Sequence, residues 1–174
     1  MTSVLIIGGG GMIGQKLASS FSTNDSLTLL DIGFPNKNQS NARKIIGSVG
    51  DPEIIENSLK DLPEVIYYLA SVVSGEAEAD FLKGWDVNIH AFWAFLSLVK
   101  KLNEKSQGQY KPKIIFTSSI AVFGSPFPNQ IPDDFIAAPR TSYGAQKASC
   151  ELMLNDFSRK GFCEGLAIRL PTIC

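Results

Sequence analysis

The amino-acid sequence points to a doubly wound α/β domain: one parallel sheet with helices against both of its faces. Short apolar runs alternate with longer amphipathic stretches along the whole chain. The runs are continuous rather than period-two, as in strands buried on both sides. A glycine cluster separates the first run from the first helical stretch, at the strand–helix junction where such folds bind ligands.

Six runs read as strands. Ser3 to Ile7 (SVLII) is the first, and a helix is expected from about Gly11 to Phe21. Leu27 to Ile32 is the second strand and Arg43 to Ile46 a short third. Asp51-Pro52 opens a short helix, the aspartate as N-cap and the proline in the first turn. Glu64 to Ala70 is the fourth strand, and Ser71 to Phe81 reads as the loop after it. One long helix is expected from Phe81 to Glu104. Its two apolar stripes, Val87, Ala91, Phe95, Leu98, Leu102 and Ile89, Trp93, Leu96, Val99, predict burial on two sides. Lys113 to Ser118 is the fifth strand. Gly124 to Arg140, with four prolines, is an extended loop. A helix from Ser142 to Arg159 and a sixth strand, Gly165 to Leu170, follow.

Composition narrows the function. The 174 residues suffice for one domain with a sizeable core. Sixteen basic and seventeen acidic side chains give a net charge of −1, and no basic run favours nucleic acid. The longest uncharged apolar stretch, Ala91 to Val99, is too short to cross a bilayer. No basic, cleavable leader opens the chain. Cys150, Cys163 and Cys174 have no metal-site spacing, and their odd number argues against a disulfide framework, so a cytoplasmic setting is expected. The single histidine, His90, reads as a helix-face residue, and no metal site is expected.

Gly8, Gly11 and Gly14 form a G-x-x-G-x-x-G loop. Glycines so placed let the backbone approach a pyrophosphate, which the following helix N-terminus then meets with free N–H groups. A phosphate loop of the GK[ST] kind is a near miss, because Gln15 stands where its lysine belongs. Asp31, seventeen positions after Gly14, closes the second strand where a carboxylate accepts from a ribose diol. It would repel a 2′-phosphate, which favours NAD over NADP.

Tyr143 and Lys147 make a Y-x-x-x-K pair one helical turn apart, on one face. Tyrosine titrates at about 10, too high for a base at neutral pH. A cation one turn away is expected to lower it. Thr117-Ser118-Ser119 ends the fifth strand and brings hydroxyls to the same edge of the sheet.

With these residues in this order, the chain resembles the extended short-chain dehydrogenase/reductases, the NAD-dependent epimerase/dehydratase family. The resemblance runs over essentially the whole chain and implies a dinucleotide-binding Rossmann fold. It makes Ser119, in FTSSIAVFG, the catalytic serine beside Tyr143 and Lys147. It implies cofactor contacts from Met12 and Ile13 after the glycines, from Ile32 beside Asp31, and from Leu69, Ala70 and Ser71 after the fourth strand. Asn88, Thr117 and Pro171 complete that implied set with Tyr143 and Lys147. Two positions depart from the family pattern. Ser48-Val49 replaces its usual adenine-contacting aspartate after strand three and is expected to line the cofactor site in its place, and Tyr68-Leu69-Ala70 replaces its H-x-A.

Within the family, SVVSGEAEADF (71–81), TSYGAQKA (141–148) and RLPTIC (169–174) resemble the branch that oxidises D-erythronate, a four-carbon sugar acid, at C2 with NAD. Ser74 is then a substrate contact together with Ser119. The resemblance also implies a homodimer through two helices per subunit. Family members continue well past RLPTI, so residues 1–174 are expected to be the dinucleotide-binding part, without most of the substrate half. Two other functions stay open: a sugar-nucleotide 4-epimerase or dehydratase, and an NAD-binding fragment without catalysis.

Overall fold

A computed structural model describes residues 2–22, 24–35, 42–132 and 134–172. Six strands form one parallel sheet: β1 (Ser3–Ile7), β2 (Ser26–Asp31), β3 (Arg43–Ile46), β4 (Val65–Tyr68), β5 (Lys113–Ser119) and β6 (Glu164–Leu170). Their order is β3-β2-β1-β4-β5-β6. The order reverses between β1 and β4, so the crevice of the sheet opens at the carboxyl ends of those two strands. Cys174 lies outside the described residues.

Helices lie on both faces, as expected. On one side α2 (Pro52–Leu59), α5 (Ala91–Lys105) and α6 (Ser142–Arg159) pack over Leu5, Ile7, Leu30, Ile66, Ile114 and Phe116. On the other, α1 (Met12–Ser20) covers Val4, Ile6 and Leu29. Val4 through Ile7 are all at most 2% exposed, which is what the continuous apolar run requires. Asp51 caps α2 by accepting from the Glu53 N–H at 3.0 Å, with Pro52 in the first turn. Leu166 and Ile168, on the face of β6 away from α6, remain exposed. Among the described residues, no helix is long and apolar enough to cross a membrane.

The structure corrects several boundaries. β4 ends at Tyr68 rather than Ala70, because the Leu69 and Ala70 N–H groups both donate to the Ile7 carbonyl and turn the chain over the glycine loop. β2 ends at Asp31 and leaves Ile32 77% exposed. The segment after β4 is not a plain loop: α3 (Ser74–Ala79) forms there and buries Ala77. The long helix is divided into α4 (Phe81–Trp85), a π turn over Asp86–His90, and α5. The wide turn buries Asn88 and Ile89 together. Of the second stripe, Ile89, Leu96 and Val99 are buried, whereas Trp93 is 53% exposed and meets Phe157 edge-on at 5.7 Å.

Candidate active site

The glycine loop is shaped by contacts that leave no room for side chains. Gly8 has φ +90°, and a Cβ there would lie 2.7 Å from the Ala70 nitrogen. A Cβ at Gly14 would lie 2.2 Å from the Gly8 carbonyl oxygen, so the first turn of α1 rests directly on the loop. Gly11 is the N-cap of α1, with no side-chain cap and no acidic residue in the first turn. The first N–H groups of α1 therefore lack a side-chain acceptor, a setting suited to an anion. Asp31 Oδ2 accepts from the Gly10 N–H at 2.8 Å and ties the loop to the end of β2.

A cleft of about 420 Å³ opens beside this loop. Gly8, Gly11, Asp31 and Ile32 line one part, Ser48 and Val49 another, and Leu69, Ala70 and Ser71 the end of β4. All nine are residues expected at a cofactor site. Gly47, Val72, Glu76, Lys83 and Val87 also line it and were not expected. Met12 and Ile13 sit in the first turn of α1, outside that lining.

Tyr143 lies at the N-terminal end of α6, whose Thr141 cap accepts from the Gly144 N–H at 3.0 Å. A Cβ at residue 144 would lie 2.2 Å from the Ala121 carbonyl oxygen. Glycine here lets the helix press against the 3₁₀ turn Ile120–Val122 that follows β5. Ser119 caps that turn, its Oγ accepting from the Ala121 N–H at 3.1 Å. The Ser71 and Ser119 hydroxyls lie close enough to the Tyr143 phenol to favour its ionised form. Hydroxyls from the segment after β4, from β5 and from α6 thus come together beside the cleft, which Ser71 lines.

Lys147, 2% exposed, lies one turn further along α6 and donates from Nζ to the Thr117 carbonyl at 2.9 Å. The ammonium stands 4.7 Å from the Phe116 ring centre and 5.5 Å from that of Tyr143. Burial lowers its pKa to about 8. The expected lowering of Tyr143 is not what the protein groups produce. Burial holds the phenol above its usual value, and the Ser71 and Ser119 hydroxyls oppose that rise. The physical reason is that Lys147 Nζ donates to the Thr117 carbonyl rather than to the phenol, so burial of the phenol dominates.

The remaining expected residues hold different places. Asn88 is buried behind the cleft wall: its Oδ1 accepts from the Val72 N–H at 2.8 Å, and its Nδ2 donates to the Val72 carbonyl and to Gln146 Oε1. Thr117 Oγ1 donates to the Tyr68 carbonyl at 3.2 Å. Ser118 points away from Ser119 and donates to Glu151, which Arg169 grips through two nitrogens. Ser74 is exposed at the start of α3, and Pro171 is exposed just past β6; neither lines the cleft. His90 pairs with Asp86 at 2.9 Å on an exposed helix surface. Cys150 and Cys163 are buried free thiols.

Sequence reasoning has Ser71 as a cofactor contact and misses its influence on the Tyr143 phenol. It also misses Glu76, in the stretch read as loop, and Lys83, in the first turn of the expected long helix.

A six-stranded 3-2-1-4-5-6 sheet with an uncapped glycine-loop helix at its carboxyl edge is a Rossmann-like doubly wound domain. Residues 4–174 match the NAD dependent epimerase/dehydratase family, and the chain belongs to it. It is 38% identical to the D-erythronate dehydrogenase of Cupriavidus necator over 98% of its own length and 55% of that protein. It is 36% identical to the D-erythronate dehydrogenase of Haemophilus influenzae, with the same shares of the two chains. The crystal structure of a nucleoside-diphosphate-sugar epimerase from Agrobacterium tumefaciens superposes with a TM-score of 0.86 at 42% identity, over 99% of this chain and 54% of that one. The chain thus spans about half the length of these relatives.

Proposed function

We propose that the protein is an NAD-dependent dehydrogenase that oxidises a hydroxyl of a small sugar acid of the D-erythronate type. The convergence of Tyr143 with Ser119 and Ser71, backed by Lys147 and beside the cleft, carries this reading. The names of the C. necator and H. influenzae relatives support the substrate.

The residues present fit NAD. The cradle at Gly8 and Gly14 has no space for a Cβ, the first turn of α1 is uncapped, and Asp31 lines the cleft where an adenosine ribose would sit. Ser48, Val49, Leu69 and Ala70 would flank the cofactor, with Met12, Ile13 and Ile32 at its edges and Thr117, Pro171 and the Asn88-braced wall nearest the nicotinamide. NAD supplies the carbon that accepts a hydride from the substrate. Ser119 holds the substrate oxygen, and Tyr143 takes the proton from that oxygen. Lys147 would hold the nicotinamide ribose. The phenol of Tyr143, which the protein groups alone leave unfavoured as phenolate, would ionise more readily beside a bound, positively charged nicotinamide. Ser74, exposed at the start of α3, is assigned as a substrate contact on the family resemblance alone.

Tyr143→Phe in the intact protein should reduce NADH formation from D-erythronate by at least about a thousandfold, while leaving NAD affinity within roughly twofold. Equal loss of NAD binding would make Tyr143 structural and overturn its role as base. The A. tumefaciens relative, named a nucleoside-diphosphate-sugar epimerase, favours a second reading: the same triad oxidising and re-reducing a sugar nucleotide. Turnover of a UDP-sugar without net NADH release would select it.

The buried reduced thiols Cys150 and Cys163 support a cytoplasmic location. Exposed Trp93 and Leu152, on neighbouring helices, support a homodimer.

A further inference from the structure

The cleft wall opposite the glycine loop carries charges that the catalytic reading leaves unused. Among the described residues lining the cleft, Lys83 is the one cation, beside two carboxylates, Asp31 and Glu76. Asp31 is held at the far end by the Gly10 N–H. Glu76, on α3, and Lys83, on α4, pair at 2.5 Å, and both side chains are about half exposed. Asp80 fixes the backbone between them, its Oδ1 accepting from the Lys83 N–H at 3.0 Å. The Lys83 main chain is therefore anchored, while its ammonium is tied only by an exposed ion pair, which contributes little and opens readily.

A ligand carrying phosphate or carboxylate changes that balance. Glu76 alone would repel such a ligand, and a cation on this wall would complete the backbone N–H groups on the other. We propose that Lys83 is the anion-binding cation of the cleft, exchanging Glu76 for a phosphate or carboxylate oxygen of the bound ligand. The assignment rests on the NAD reading above. Its two sources of anion are the pyrophosphate of the cofactor and the carboxylate of a sugar acid. Glu76 is the internal competitor that keeps the ammonium at the cleft when the anion is gone.

The test is calorimetric titration of NAD into the intact protein at two salt concentrations, with steady-state kinetics alongside. Lys83→Met should weaken NAD binding roughly tenfold and make it less salt-dependent, because one charge-assisted contact is lost. Glu76→Gln should act with the opposite sign and tighten NAD, which separates the effect from a folding defect. If Lys83→Met leaves NAD affinity unchanged but raises KM for D-erythronate roughly tenfold, the carboxylate is the anion and the assignment holds. If wild type binds NAD and neither variant moves affinity or KM, Lys83 is a solvated lysine and the proposal is overturned. A wild type that binds no NAD overturns the cofactor reading itself, and this assignment with it.

Discussion

Ser71 shows how a single hydroxyl connects β4 to the chemistry of α6. Tyr143 is held above its ordinary pKa by burial, and the hydroxyls of Ser71 and Ser119 pull the other way because both favour the phenolate. Removing either serine should therefore raise the phenol further. In Ser71→Ala, the rising limb of the pH profile of kcat/KM is expected to move to higher pH, and kcat/KM at pH 7 to fall about threefold to tenfold. KM for NAD measured at the plateau should change less than kcat/KM at pH 7. A uniform loss at every pH, with an unmoved limb, would reduce Ser71 to a wall residue. This contact was illegible in the sequence because Ser71 and Tyr143 are far apart in the chain and meet only once β4, β5 and α6 are packed. Gly8, Gly14 and Asp31 were legible because the loop they shape is local, and each type answers one steric or polar demand.

At the scale of elements, α6 is anchored to the sheet at two levels. Tyr143, Lys147 and Glu151 follow one another at i, i+4, i+8 on one face of the helix. Lys147 holds the Thr117 carbonyl on β5, and Glu151 receives Ser118 from β5 and Arg169 from β6, two residues paired across those strands. The Arg169 guanidinium also lies 4.8 Å from the Phe123 ring, which meets Phe135 in the loop after the 3₁₀ turn. Glu151→Ala would leave the buried Ser118 hydroxyl and the partly buried Arg169 guanidinium without their acceptor. The expected loss is about 2–3 kcal/mol of unfolding free energy, read in urea, with Glu151→Gln recovering part of it. An unchanged midpoint would make the clamp ornamental to stability. The bounds of α6 were readable as Ser142 to Arg159 because Thr141 caps one end and Lys160-Gly161 closes the other. The division of the long helix was not readable. A π turn preserves the apolar spacing on each side and adds its extra residue only where Asn88 reaches both Val72 and Gln146. The α3 helix did have a signal, the helix-favouring GEAEA, which the turn-like SVVSG before it obscured.

For the whole molecule, a parallel sheet with its site at the carboxyl ends of the strands followed from strand–helix alternation and the glycine loop, whereas the order β3-β2-β1-β4-β5-β6 came only with the structure. What alternation does not reveal is which outer surfaces find partners. On α5, Trp93 is 53% exposed, and on the adjacent α6, Leu152 is 72% exposed, although both helices bury their opposite faces in the core. Large apolar side chains on two neighbouring helices make a self-complementary patch when a two-fold axis runs between copies. A stable dimer needs roughly 800 Å² per partner, an area that two helices of fifteen and eighteen residues are long enough to provide. The double variant Trp93→Glu, Leu152→Glu should therefore run as a monomer by light scattering where the wild type runs as a dimer. Because both side chains point away from the cleft lining, NAD affinity should stay within about twofold. A wild type that is monomeric at tens of micromolar would remove the dimer, and a variant that stays dimeric would move the interface off these helices.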